Sequence, residues 1–186
     1  MIVGIDEVGR GALAGPLCVA AVAWGDSASR RGLADSKVLT AAQREVMALK
    51  IRTQAAAIGI GWVPAADLDT MGVTAGLKLA AERALAQIDP QLITAVIIDG
   101  HLKLIDDPRA VAVIKADTNV PAVMAASIVA KVARDSYMQC IDTIFNGYGF
   151  AAHVGYGTAV HKAALATLGP CAQHRMSYAP LKALAA

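Results

Sequence analysis

This sequence lacks an apolar run long enough to cross a bilayer. Gly11 to Gly25 has 15 residues, interrupted by Gly15 and Pro16, and Thr118 to Ala130 has 13, against the roughly 20 that a spanning helix needs. Aromatic residues are scarce at 4%, so the 56% hydrophobic content, rich in alanine, points to a compact soluble core. No basic segment precedes an apolar stretch at the start, and a secretory signal peptide is not expected. The three cysteines, Cys18, Cys140 and Cys171, are odd in number and far apart. That excludes a disulfide framework and zinc-ligand spacing, and it points to reduced thiols in a cytoplasmic protein. A surplus of one charge is also missing: 17 Lys and Arg face 15 Asp and Glu. A net +2 permits a local basic face for a phosphate backbone without announcing one. At 186 residues the chain suits one domain, or one domain with a short C-terminal appendage, with a substantial core.

What is present alternates short apolar runs with helical stretches. Met1 to Ile5 is apolar and β-branched, as in a strand buried on both faces, with Asp6 and Glu7 at its tip before Gly9-Arg10-Gly11. Gly15 to Trp24 reads as a second strand antiparallel to the first, followed by a polar loop ending in Asp35-Ser36-Lys37. Thr40 is a good N-cap for an amphipathic helix reaching Ala57, with Val46, Leu49 and Ala56 on its apolar side. Ile58 to Val63 is a third strand. Leu68 to Thr74 reads as a connector and Thr74 to Ile88 as a helix, with Met71, Leu77 and Leu79 in the core. Ala95 to Ile98 and Ala110 to Ile114 are further strands, which end at Asp99 and near Asp117. Val120 to Met138 is a helix with an Ala-rich face, and short helices and glycine-rich loops complete the chain.

Strands alternating with helices place functional groups beyond strand C-termini. Asp6, Glu7, Asp99 and Asp117 are therefore the candidate set, although Asp6-Glu7 alone reads more readily as a solvated turn. Carboxylates that converge repel one another unless cations sit among them. Oxygen-only ligands suit Mg²⁺ or Mn²⁺ rather than zinc. Two such ions roughly 3.5–4 Å apart would activate a water and stabilise the leaving oxygen of a phosphodiester. Lys37 either caps a helix start with its neighbours or sits near an anionic substrate.

The motifs GIDEVGRG, AGP, DSK, IIDG, KAD, AASIVAKVARD, GYGT with a downstream His, and HRMSY occur in that order along nearly the whole chain. In combination they resemble ribonuclease HII. The resemblance implies an α/β ribonuclease H-like fold, a mixed five-stranded sheet flanked by helices. It further implies one catalytic domain over 1–186, with 137–186 as its helical C-terminal extension. The implied activity is endonucleolytic cleavage of RNA in RNA–DNA hybrids and nicking 5′ of ribonucleotides embedded in duplex DNA. Two Mg²⁺ or Mn²⁺ ions would be held by Asp6, Glu7, Asp99 and Asp117, with Asp6 bridging them, and the products would carry 5′-phosphate and 3′-hydroxyl ends. Gly9, Arg10 and Gly11 match the loop that reads the ribonucleotide, and Tyr156 matches the tyrosine that stacks on the adjoining sugar. Lys37, Ser127 and Lys131 match positions near the phosphates. Asp135 would lie ~27 Å from Asp117 along a continuous helix, and it reads as a structural partner of an Arg or Lys. His161, His174 and Arg175 match recurring positions and read equally well as hydrogen-bonded structural groups.

Three departures stand beside the acids. Val38 replaces a common second lysine, His101 replaces the usual asparagine, and Gly157 replaces a frequent proline. They bear on fine substrate positioning, not on the class of reaction. A non-catalytic hybrid-binding module would require a broken acid set, and all four acids are present. A junction resolvase or transposase-type nuclease is disfavoured by the GRG loop directly after Asp-Glu. The resemblance implies a monomer acting on nucleic acid away from membranes, more in removing misincorporated ribonucleotides than in primer processing. The tail after Tyr178 holds no aromatic docking peptide for a sliding clamp.

Overall fold

The computed structural model describes residues 1–25, 28, 29, 33, 36 and 38–185. Strands β1 (Ile2–Val8), β2 (Leu17–Trp24), β3 (Ala57–Val63), β4 (Ala95–Asp99) and β5 (Ala110–Val113) form one sheet in the order β3-β2-β1-β4-β5. β2 runs antiparallel to β1 and β3, whereas β4 runs parallel to β1 and β5. The sheet is thus mixed, and β1 is central to it.

β2 shows how the sequence builds two cores at once. Every one of its residues is buried, and the period-two alternation of a strand divides them. Leu17, Val19, Ala21 and Ala23 pack with Leu77, Ala80, Ala81 and Ala84 of α3 (Val73–Leu85). Cys18, Ala20, Val22 and Trp24 pack with α1 (Ala41–Gln54) and α5 (Pro121–Asp142). Small residues bring the layers close. A Cβ on Gly4 of β1 would lie 2.1 Å from the Ala122 carbonyl carbon, and one on Gly61 of β3 would lie 1.9 Å from the Ala80 oxygen. A third cluster joins Leu13 and Ala14, just after β1, to Met138, Tyr148, Phe150, Leu165 and Leu181. It seats α6 (Phe150–His153), α7 (Ala159–Leu168) and α8 (Ala179–Ala185) against the sheet edge that carries the acids. Among the described residues, no helix is long and apolar enough to cross a membrane.

Several expectations need correction. Thr40 does cap α1, in a reciprocal capping box with Gln43. The buried face of α1, however, is Met47, Ala48 and Ile51, while Val46 and Leu49 are 54% and 61% exposed. α1 packs in the same cluster as β2 and the alanines of α5, and it is Met47, Ala48 and Ile51 that face them. The expected connector at Leu68 is part of a helix, α2 (Ala65–Met71), which stops at Gly72 with φ 78°. Leu77 is core and Leu79 packs at its edge, but Met71 is exposed. Asp117 does not end a strand: β5 stops at Val113, Lys115 turns the chain in the left-handed region, and Asp117 sits in the short helix α4 (Ala116–Asn119).

Candidate active site

Pairing with β2 carries β1 through Asp6 and Glu7 to Val8, so both acids lie within the strand rather than in a turn after it. Parallel pairing of β4 with β1 delivers Asp99 to the same edge. Asp6, Glu7 and Asp99 line a cleft of about 450 Å³. The loop Gly9–Gly11 and Tyr156 line it too, as do Ser127 and Lys131 of α5. Asp117 is buried beside this group and does not line the cleft; its amide donates to Asp99 Oδ1 at 3.3 Å. Lys37 lies outside the described residues.

The electrostatics of this floor are adverse. Burial, and then the charges of Glu7 and Asp99, push the Asp6 carboxyl up to about 8, although the Ser127 hydroxyl and the Glu7 amide pull the other way. A buried carboxyl with two more beside it is a group that a cation would relieve. The donors are all oxygens, the set that suits Mg²⁺ or Mn²⁺. Among the described residues, no three His, Cys, Asp or Glu side chains already form a closed cage. Mg²⁺ does not need one, because it keeps several waters and takes one or two carboxylates. The residues present therefore fit such an ion.

Lys131, Arg44, Ser36 and Ser127 line the same cleft as the acids. Lys131 Nζ donates to Asp135 Oδ1 at 2.8 Å, and Arg44 Nη2 lies 3.8 Å from Asp135 Oδ2. Arg44 also donates to the carbonyls of Ser36 and Leu39. Asp135 is thus the ion-pair partner the sequence led us to expect. The single-helix distance to Asp117 does not apply, since the chain breaks at Val120 between α4 and α5. Ser127 Oγ and Ser36 Oγ are 2.8 Å apart and buried. Arg44 was not foreseen; only the packing of α1 on α5 brings it to the cleft.

The loop side is ordered by main-chain and ring hydrogen bonds. Gly9 has φ 85°, and a Cβ there would lie 2.1 Å from Arg134 Nε. Arg10 reaches Glu7 at 3.9 Å. The Arg134 guanidinium lies 5.8 Å from the Tyr156 ring centroid, within cation–π range. The Tyr156 carbonyl meets His161 Nδ1 at 3.0 Å, and His161 Nε2 meets His174 Nε2 at the same distance. The Cys171 amide donates to His174 Nδ1 at 2.9 Å. This accepted bond leaves His174 Nε2 as a donor, so His161 accepts there and donates to Tyr156. Every link requires neutral rings. Burial first, and then the neighbouring histidine, lowers the pKa of His174 to about 4, and burial also lowers that of His161.

An oxygen-only acid group at the tip of a central strand, with a glycine-arginine-glycine loop behind it, is the arrangement the motif order implied. A model of the ribonuclease HII family matches residues 3–181. The chain belongs to the ribonuclease HII family. Ribonuclease HII of Streptomyces avermitilis is 45% identical over 185 residues, covering 99% of this chain and 79% of that protein. The counterpart from Halorhodospira halophila is 42% identical, covering 98% of this chain and 94% of its own length. Among solved structures, ribonuclease HII of Archaeoglobus fulgidus in complex with PCNA has a TM-score of 0.78 at 28% identity, covering 95% of this chain and 92% of that one. The fold is accordingly ribonuclease H-like, and the chain is a metal-dependent nuclease of that family, an endonuclease for the RNA of hybrids.

Proposed function

We propose that this enzyme nicks duplex DNA on the 5′ side of embedded ribonucleotides as well as cleaving longer RNA–DNA hybrids, leaving 5′-phosphate and 3′-hydroxyl ends. The observation that carries the reading is the sharing of one cleft by Asp6, Glu7 and Asp99 with the Gly9–Gly11 loop. Asp6, Glu7, Asp99 and Asp117 would hold two Mg²⁺ or Mn²⁺ ions. When bound, such ions supply a nucleophilic water and neutralise charge on the departing oxygen.

The rest is the work of the chain's own residues. RNA differs from DNA at the 2′-hydroxyl, a small group best read by main-chain amides and carbonyls that approach closely. Gly9 and Gly11 permit that approach. Arg10 reaches a phosphate with its planar fork, and exchanging its long contact to Glu7 for one costs little, since both groups are partly exposed. Tyr156, 37% exposed at the cleft, offers its ring to the adjoining sugar. Lys131, Lys37 and Ser127 serve the phosphates, with Lys131 aimed by Asp135.

We read residues 137–186 as a helical extension of the same catalytic domain, because the third hydrophobic cluster includes Leu13 and Ala14 from the loop after β1. A monomer in the cytoplasm that removes misincorporated ribonucleotides completes the reading. The test is duplex DNA carrying one ribonucleotide, incubated with and without Mg²⁺ or Mn²⁺. A metal-dependent nick 5′ of the ribonucleotide is expected, and its absence would overturn the proposal.

A further inference from the structure

Among the described residues, two arginines are fully buried, Arg134 and Arg175. Burying a charge is costly unless it is hydrogen-bonded, and an apolar side chain of similar volume is often as stable. Among the described residues, their hydrogen-bond partners are main-chain carbonyls and one phenol, not carboxylates. Arg134 donates to Pro16 O at 2.9 Å, Ala14 O at 3.0 Å and Val154 O at 2.8 Å. Arg175 donates twice to Gly15 O, at 3.0 and 2.9 Å, and once to Arg10 O at 3.1 Å. Its Nη1 also meets the Tyr178 hydroxyl at 2.9 Å, and that hydroxyl donates to Arg10 O at 2.7 Å.

All but one of the carbonyls held this way belong to the segment from Arg10 to Pro16. The same segment is bound through its backbone. The amides of Leu13 and Ala14 donate to Gly155 O, Gly15 N donates to Gln173 O, and Arg175 N donates to Leu13 O. The Arg10 carbonyl, in the middle of the loop assigned to the ribose, therefore receives two donors from the C-terminal tail. Arg134 fills the space behind Gly9 that a Cβ would need. Only a planar fork can hold several carbonyls on separate turns at once, and a lysine ammonium is a single point charge.

We propose that Arg175 and Tyr178, backed by Arg134, are positioning residues that fix the shape of the Gly9–Gly11 loop and thereby the enzyme's preference for a ribonucleotide. The inference rests on that loop reading the ribose. Its test is equilibrium binding in metal-free buffer, where no strand is cut. The probes are a DNA duplex with one ribonucleotide and the same duplex without it, each measured with wild type, Arg175→Lys and Tyr178→Phe.

Wild type should bind the ribonucleotide duplex more tightly. In Arg175→Lys the ratio of the two Kd values should fall about tenfold, roughly the loss of one charged hydrogen bond, with the all-DNA Kd little changed. Tyr178→Phe should move the ratio the same way by less. A merely structural role would lower the folded fraction and leave the ratio alone. If Arg175→Lys does not fold, the half-buried Tyr178→Phe decides by itself. A wild-type ratio of one overturns the loop assignment and this inference together. A wild-type preference that folded variants retain in full overturns the inference alone.

Discussion

The floor and the loop wall of the cleft are built on opposite principles. On the floor, like charges are left facing one another: Asp6 is buried next to Glu7 and Asp99 and titrates near 8. On the wall, charges and polar rings are buried as completely, yet each has its partners. Arg134 and Arg175 are wrapped by carbonyls, and His174 and His161 form one consistent run of donors and acceptors to Tyr156. On the proposed reading, stability is given up where a cation would bind, and order is concentrated where a small hydroxyl would be read. On that reading, crowded carboxylates mark the place of chemistry and ordered hydrogen bonds mark the place of selection.

The comparison can be broken first at the floor. Asp6→Asn should lower nicking of a single-ribonucleotide duplex by on the order of 100-fold or more. Its metal-free thermal stability should equal or exceed that of wild type, because a buried carboxyl in conflict with its neighbours is gone. Steady-state rates beside thermal melts check both halves, and a large loss of stability would show that Asp6 is structural. The wall should respond in the other currency. Gly9→Ala meets Arg134 at 2.1 Å and forces φ 85° on a residue with a Cβ. It should lose ~1–3 kcal/mol in denaturant melts, with nicking falling as a consequence.

Acid separates the two regions more subtly. Asp6 titrates near 8 when folded and near 3.8 when unfolded, so between these values the folded state holds the extra proton. Metal-free stability should therefore rise as pH falls from about 8. His174 titrates near 4 when folded and 6.5 when unfolded. Below 6.5 the unfolded chain takes the extra proton, and that contribution falls towards pH 4. In wild type the two opposing slopes offset one another in the lower window. In Asp6→Asn the rise from pH 8 should vanish and a plain fall below 6.5 remain. Melts of both proteins across pH 4 to 8 measure this, and an unchanged profile in the variant would remove Asp6 as its source.

Much of this was legible in the sequence, because the strands are apolar runs with clear punctuation and the acids sit at or near their ends. β2 is one uninterrupted apolar run because both of its faces are covered, and Thr40 announces α1 through its cap. The parts that misled share a cause. Val46 and Leu49 fit one helical spacing in α1, but Met47, Ala48 and Ile51 fit another a short way round the helix, and only the packing against α5 and β2 shows that this second face is the buried one. Asp117 follows a strand in sequence but enters the site from a helical turn after Lys115 in a left-handed conformation, which no local pattern signals. Arg44, Ser36 and the carbonyl partners of Arg134 and Arg175 are brought in by contacts across as many as 165 positions, and periodicity cannot reach that far.

The central claim is that the floor cuts and the wall selects, and Asp99→Asn tests it most directly. Cleavage and binding of the same single-ribonucleotide duplex should be measured side by side in Mg²⁺. Cleavage is expected to disappear while binding and the preference over all-DNA duplex survive. Cleavage at the wild-type rate, or loss of the preference together with cleavage, would contradict the account.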